Sequence, residues 1–205
     1  MTEKPIIFDA NEVNAILAGN KTQHRIPILT SEQVSAGYEW DFAADGDAAI
    51  FHKYANDGDS VEDTLLIDCP FGATGNRLWV QELHARTENK DLLTRTHYYA
   101  GSGDLRPDLR HDAGLLTKYD AADMPRWASR ALLEITDISI ERVQDITLGD
   151  SLKEARDGLM DFAADYWMPK HGEVAWFKNP WVWVIEFKVV GDNKIYQQKD
   201  GSHAN

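Results

Sequence analysis

The chain has 205 residues, 43% hydrophobic and 10% aromatic, which is enough to bury the core of one globular domain. Its one cysteine, Cys69, excludes an internal disulfide and any multi-cysteine metal site. With 21 Lys and Arg against 34 Asp and Glu, the formal net charge is −13, which argues against a general nucleic-acid coat, because phosphate binding takes a surplus of cations.

In chain order, residues 5–8 read as a short strand. Asp9 is a helix cap before residues 10–18, where Val13, Ile16 and Leu17 recur at helical spacing and Gly19 is the stop. Residues 19–25 read as a polar turn carrying Lys21, His24 and Arg25. Residues 31–64 show weak periodicity with several Gly and Asp, the pattern of an irregular insertion that can include a hairpin. Residues 31–68 hold ten acids and one base, Lys53, so most of the net charge sits there. Such a lobe either solubilises the surface, screens out bulk nucleic acid, or engages a basic protein.

Residues 68–72 predict a turn, and 78–82 a strand. A strand is expected at 96–100, a loop at 101–107 and an exposed connection at 108–124. Residues 131–143 predict a long strand with a bulge near Asp137, where the period-two alternation fails. Residues 147–159 predict the second clear helix, capped by Thr147 or Asp150 and ended by Gly158. After Asn179-Pro180, residues 181–189 form the strongest strand pattern, apolar on both faces and therefore central. Trp181 and Trp183 belong to that core. Residues 191–205 read as a flexible polar tail. Few helices and scattered strands predict an α+β mixed barrel, a single domain over 1–190.

Several functional classes fall away. No apolar run approaches membrane-spanning length, and the first residues lack the basic start and apolar stretch of a secretory signal, so a cytoplasmic protein without membrane contact is expected. His84, His97, His111 and His171 lack paired metal-ligand spacing, so neither a metal nor another cofactor is expected. The phosphate-cradling and nucleophile-elbow glycine motifs are absent. The run Arg126-Trp127-Ala128-Ser129-Arg130 interleaves an indole with two guanidinium groups, a combination that stacks an unpaired base between phosphate contacts. The same Trp could instead plug one end of the barrel. Arg77 follows a Gly-rich turn, and Glu82 can pair with Arg77 or Arg130.

Four segments in order carry a resemblance. They are residues 16–25 (Ile-Leu-Ala-Gly-Asn-Lys-Thr-Gln-His-Arg), 69–82 (Cys-Pro-Phe-Gly through Gly-Asn-Arg-Leu-Trp-Val-Gln-Glu), 124–130 (Met-Pro-Arg-Trp-Ala-Ser-Arg) with the strand after it, and 179–187 (Asn-Pro-Trp-Val-Trp-Val-Ile-Glu-Phe). Together they resemble the ASCH family of PUA-like β-barrels, most closely its phage- and prophage-encoded members. The resemblance implies a PUA-like barrel with flanking helices and an acidic insertion at about 31–64, in the cytoplasm of a bacterial host. It also implies an RNA- or nucleotide-related role, since some members of the family resemble ribonucleases. One branch hydrolyses the acetyl amide of acetylcytidine with a Lys, a Thr three residues later and a carboxylate on the second helix. Lys21 matches that lysine, His24 stands at the threonine position, and Asp157 stands where the branch has Glu.

Two functional expectations follow. In the first, a cleft beside the Lys21 turn binds single-stranded RNA, a nucleotide or a nucleoside. Lys21, Arg25, Arg77, Arg126 and Arg130 then contact phosphate, and Trp127 stacks a base. In the second, the protein is an amidohydrolase or ribonuclease. His24 then titrates near neutrality as acid or base, Lys21 is the base if its environment lowers its pKa, Thr22 is a displaced nucleophile, and Asp157 orients the lysine or activates water. A third class is a protein-interaction module in which residues 31–68 engage a basic partner.

Overall fold

The computed structural model describes residues 2–44, 48–87, 95–98, 100 and 116–192. In chain order the elements are β1 Glu3–Ile7, α1 Ala10–Leu17, β2 Gln23–Pro27, α2 Ser31–Ser35, β3 Tyr38–Ala44, β4 Ala48–Tyr54, β5 Val61–Asp68, β6 Arg77–Gln81, β7 His84–Thr87, β8 Arg95–Tyr98, β9 Leu116–Tyr119, β10 Ala131–Arg142, α3 Leu148–Lys153, a π-helical segment Asp161–Trp167, α4 Met168–His171, α5 Glu173–Phe177 and β11 Trp181–Asp192. The chain divides into two compact units. One takes the described parts of Met1–Gly19, Arg77–Glu134 and Val189–Asn205, and the other takes those of Asn20–Asn76 and Ile135–Lys188.

In the first unit, β1 runs parallel to β6, with Glu3 opposite Arg77 and Ile7 opposite Gln81. The opening of β10 runs antiparallel to β6, with Leu133 opposite Leu78. Helix α1 starts as its sequence predicts. The Glu12 amide donates to the Asp9 carboxylate at 2.9 Å, and the Asp9 amide donates back to Glu12 at 3.1 Å, which satisfies two amides that the first turn leaves open. Val13 and Ile16 bury the apolar face of the helix, and Gly19 leaves it at φ 78°, a conformation that glycine adopts without steric cost. β7 is the centre of a second, antiparallel sheet in the order β8-β7-β9.

In the second unit, β11 pairs antiparallel with β2, Ile185 facing His24 and Val184 facing Arg25. Val182 to Ile185 are all buried, so β11 is covered on both faces as its apolar pattern predicts. Trp183 is core, whereas Trp181 is half-buried against Trp40, ring centroids 4.6 Å apart. A core of Val143, Ile146, Phe162, Tyr166, Trp167, Val182 and Val184 forms behind it, with Trp176 packed against it. In β10 the alternation of buried and exposed residues slips at Thr136 and Asp137, which are both exposed, where the sequence predicts a bulge.

The structure departs from expectation at several places, one being residues 116–119 of the expected exposed connection, which form β9 against β7. The fold is mixed α+β, but no closed barrel forms among the described residues: a barrel needs every strand paired on both sides, and here β1 pairs only with β6 and β2 only with β11. The acidic stretch is not irregular. It forms α2 and the antiparallel meander β3-β4-β5. Residues 23–25, expected in a turn, lie in β2. Helix α3 stops at Lys153, well before Gly158. The expected loop at 101–107 and nearly all of the polar tail fall outside the described residues, as do residues 108–115 of the expected connection.

Candidate functional site

The second unit buries three of its charged residues, Lys21, Arg25 and Glu154. Gln23, His24 and Arg25 are all buried on β2, although none is apolar, and Lys21 just before it is buried too. Backbone pairing places them. The Thr22 amide donates to Lys153 O at 2.8 Å, Thr22 O accepts from Phe187 N at 2.9 Å, and Lys21 makes a single antiparallel bridge with Glu154. Helix α3 brings the opposite charges. Thr147 caps it in a reciprocal box with Asp150, and the next residue after its last turn, Glu154, is fully buried. Ala155 then takes φ 58°, a left-handed conformation that costs a non-glycine residue about 1–2 kcal/mol. That turn ends the helix with the Glu154 carboxylate facing β2.

Lys21 Nζ donates to Glu154 Oε2 at 2.6 Å, and neither side chain is exposed. Arg25 is equally buried. It donates to Gln23 Oε1, to Glu154 Oε1 at 3.4 Å and to Glu141 at 3.0 Å, and it lies 3.6 Å from Asp150. Glu141, Asp150 and Glu186 carry this network toward solvent, and Glu186 accepts from Lys153 at 2.7 Å. Burial opposes ionisation of Asp150, but its Thr147 hydrogen bonds, Arg25 and Gln23 outweigh burial and hold the carboxyl below its ordinary value.

His24 and Tyr166 border the ion pair. His24 Nδ1 and Tyr166 Oη are 3.3 Å apart, and Lys170 Nζ donates to Tyr166 Oη at 3.2 Å. Burial, and after it the charges of Lys21, Lys170 and His171, push the His24 pKa well below the ordinary value of 6.5. His24 is therefore neutral at physiological pH, a base held out of water beside a cation.

The other expected residues fall as follows. Asp157 is exposed, and its amide donates to Asp161 at 3.0 Å; the carboxylate that meets Lys21 is Glu154, three residues earlier. Thr22 is half-buried and held by its backbone. Arg77, Arg126, Trp127 and Arg130 belong to the first unit. There Arg130 donates twice to buried Glu82, at 2.7 and 2.8 Å, and once to Ala100 O at 2.8 Å, which is the pairing its sequence suggests. Arg126 donates to Glu3 at 2.8 Å, and Arg77 lies 3.9 Å from Glu134. Trp127 is 59% exposed. Arg86, not singled out by the sequence, has its guanidinium 4.6 Å from the Tyr119 ring centroid and 5.7 Å from that of Trp127, and the His84 ring stacks on Tyr119. Glu154 and Tyr166 also carry no sequence signal. Glu154 sits inside a stretch that reads as uninterrupted helix, and Tyr166 in one, 162–167, whose sequence fits either an extension of that helix or a short turn.

A buried ion pair is poor evidence for stability, because desolvating both charges offsets much of their attraction. Here the pair stands beside a neutral histidine and a phenol. In such a dry setting an ammonium held by a carboxylate can stabilise a developing oxyanion, and the imidazole can accept a proton from water. Comparison with protein-family models, curated proteins and solved structures returned no match. No described helix is long and apolar enough to cross a membrane.

Proposed function

We propose that this chain is a PUA-like protein of the ASCH type that hydrolyses the acyl amide of a modified nucleobase, of the acetylcytidine class. The observation that carries this reading is the 2.6 Å contact between Lys21 and Glu154, both fully buried. It supplies the lysine and carboxylate that the resembling branch uses, with the carboxylate at 154 rather than 157. His24 takes a proton from the attacking water, and water oxygen adds to the acyl carbonyl. Lys21 stabilises the oxyanion, and Glu154 holds the ammonium in place. The carbon–nitrogen bond then breaks, the amine leaves with the proton, and a carboxylic acid is released. The test is mass spectrometry of acetylcytidine incubated with the protein and with Lys21→Ala, Glu154→Gln and Asp157→Asn. Product is expected from the wild type and Asp157→Asn and lost in the other two. Intact acetylcytidine with the wild type overturns the reading.

A second reading, binding of single-stranded RNA, is supported by the first unit. Trp127 offers an exposed indole, and Arg86, Tyr119 and His84 continue the stack beneath it. Fluorescence anisotropy of labelled single-stranded RNA tests it. Trp127→Ala is expected to weaken binding by roughly 1–3 kcal/mol, and unchanged affinity removes Trp127 from any such surface.

A further inference from the structure

Beside the Lys21–Glu154 pair lie two cations that the proposed chemistry does not use, Arg156 and Lys170, and they gather with Lys21 around the Tyr166 ring. Arg156 Cζ is 4.4 Å from the Tyr166 ring centroid, Lys170 Nζ 4.9 Å and Lys21 Nζ 5.5 Å. Glu154 balances the charge of Lys21. The Arg156 guanidinium, by contrast, makes no hydrogen bond or ion pair with any described residue, and its Nε is buried without an acceptor. Arg25, Arg86, Arg126, Arg130 and Arg142 each donate to an oxygen.

Arg156 is also held in position rather than trailing from the surface. Its amide donates to Ser151 O at 2.9 Å, its carbonyl accepts from Ser151 Oγ at 3.3 Å, and the left-handed Ala155 directly precedes it. A half-buried, oriented guanidinium with a donor out of water and no acceptor fits an oxygen anion supplied from outside. Lys170 and Lys21, within 5.5 Å of the same Tyr166 ring, add positive charge on that side, and Glu154 offsets that of Lys21.

We infer that Arg156, assisted by Lys170, receives a phosphate of the ligand bound at the Lys21 site. The inference rests on the nucleobase reading of that site, and it makes the substrate class a nucleotide rather than an uncharged nucleoside. A terminal monophosphate and an internal phosphodiester offer the same oxygens. Cytidine 5′-monophosphate and the dinucleotide cytidylyl-cytidine separate them.

The experiment is calorimetric titration of the wild type, Arg156→Gln and Arg156→Lys with cytidine, cytidine 5′-monophosphate and the dinucleotide. Hydrolysis of acetylcytidine and of its 5′-monophosphate is followed in parallel. The wild type is expected to prefer a phosphorylated ligand over cytidine by about tenfold or more, the size of one charge-assisted contact. Arg156→Gln is expected to lose that preference. Arg156→Lys keeps the charge and is expected to retain part of it, which separates loss of the contact from loss of the fold. Whichever phosphorylated ligand shows the preference identifies the source. Equal affinity for all three ligands, no binding of any, or an undiminished preference in Arg156→Gln overturns the inference. If the phosphate preference depends on Arg156 but no amide is cleaved, the hydrolase reading fails and the anion site stands. If both amides are cleaved with equal kcat/KM and no preference appears, the hydrolase reading stands and the anion site falls.

Discussion

Lys21 Nζ lies 2.6 Å from Glu154 Oε2 across 133 residues of sequence, with neither side chain open to solvent. Deleting Glu154 takes the carboxylate away from a buried ammonium, and deleting Lys21 leaves the buried carboxylate with the longer 3.4 Å contact to Arg25. Lys21→Ala and Glu154→Ala are each expected to lower stability by about 3–5 kcal/mol, whereas Lys21→Met with Glu154→Leu is expected to recover most of that loss, because an apolar pair needs no desolvation. Urea unfolding of the three variants measures this. A double variant no more stable than the singles would show that the pair contributes more than charge balance.

The burial of His24 makes stability depend on pH. An unfolded chain protonates this imidazole near 6.5, while the folded chain does so only well below that. Between those two values the unfolded state binds more protons, so the contribution of His24 is complete above about pH 6.5 and is lost as pH falls. The loss approaches about 1.4 kcal/mol per pH unit until the folded value is reached. Denaturant midpoints between pH 8 and pH 5 are expected to fall more steeply in the wild type than in His24→Gln. Parallel curves would remove His24 as the source. The same shift moves any acid limb of catalysis by His24 below the pH at which an ordinary histidine would place it.

Arg130 and Trp127 are three residues apart and are expected to behave oppositely. The Arg130 guanidinium is the bidentate partner of Glu82, whose side chain is 1% exposed. Arg130→Ala strands that carboxylate and is expected to cost about 2–4 kcal/mol. Trp127→Ala removes a largely exposed ring and is expected to stay within about 0.5 kcal/mol of wild type. Thermal unfolding distinguishes them. Equal losses would mean that the indole supports the fold.

What was legible in the sequence were the parts whose signals are local. Asp9, Val13, Ile16 and Gly19 announce α1 within eleven residues, and the run at 181–189 announces β11 through its β-branched and aromatic residues. β2 was hidden because Gln-His-Arg reads as a turn. Its burial depends on Glu154 and Glu141, more than a hundred residues away. β5 was hidden for the opposite reason. Its side chains are mostly exposed, so it presents no apolar face from which to read a period. Lys21 and His24 were legible as chemistry-bearing residues through their position after α1. The resemblance pointed to Asp157, whereas the carboxylate that meets Lys21 is Glu154; the left-handed turn that ends α3 just after it falls on an alanine, where neither glycine nor proline marks it.

That alanine gives the last prediction. Ala155 holds φ 58°, a left-handed conformation whose steric cost glycine, without a Cβ, does not bear. Ala155→Gly is therefore expected to raise stability by about 1 kcal/mol, with the gain reduced by the greater freedom of glycine in the unfolded chain. Ala155→Val, branched at Cβ, is expected to lower it by more than that. The turn sits between Glu154 and Arg156, so its shape sets the direction of both side chains. If the strain serves the site, Ala155→Gly gains stability yet loses the acyl-amide hydrolysis proposed for the Lys21 site, because a looser turn lets the carboxylate move away from Lys21. Urea midpoints and turnover measured on the same preparations decide it. A gain in both would show that the alanine is tolerated rather than required.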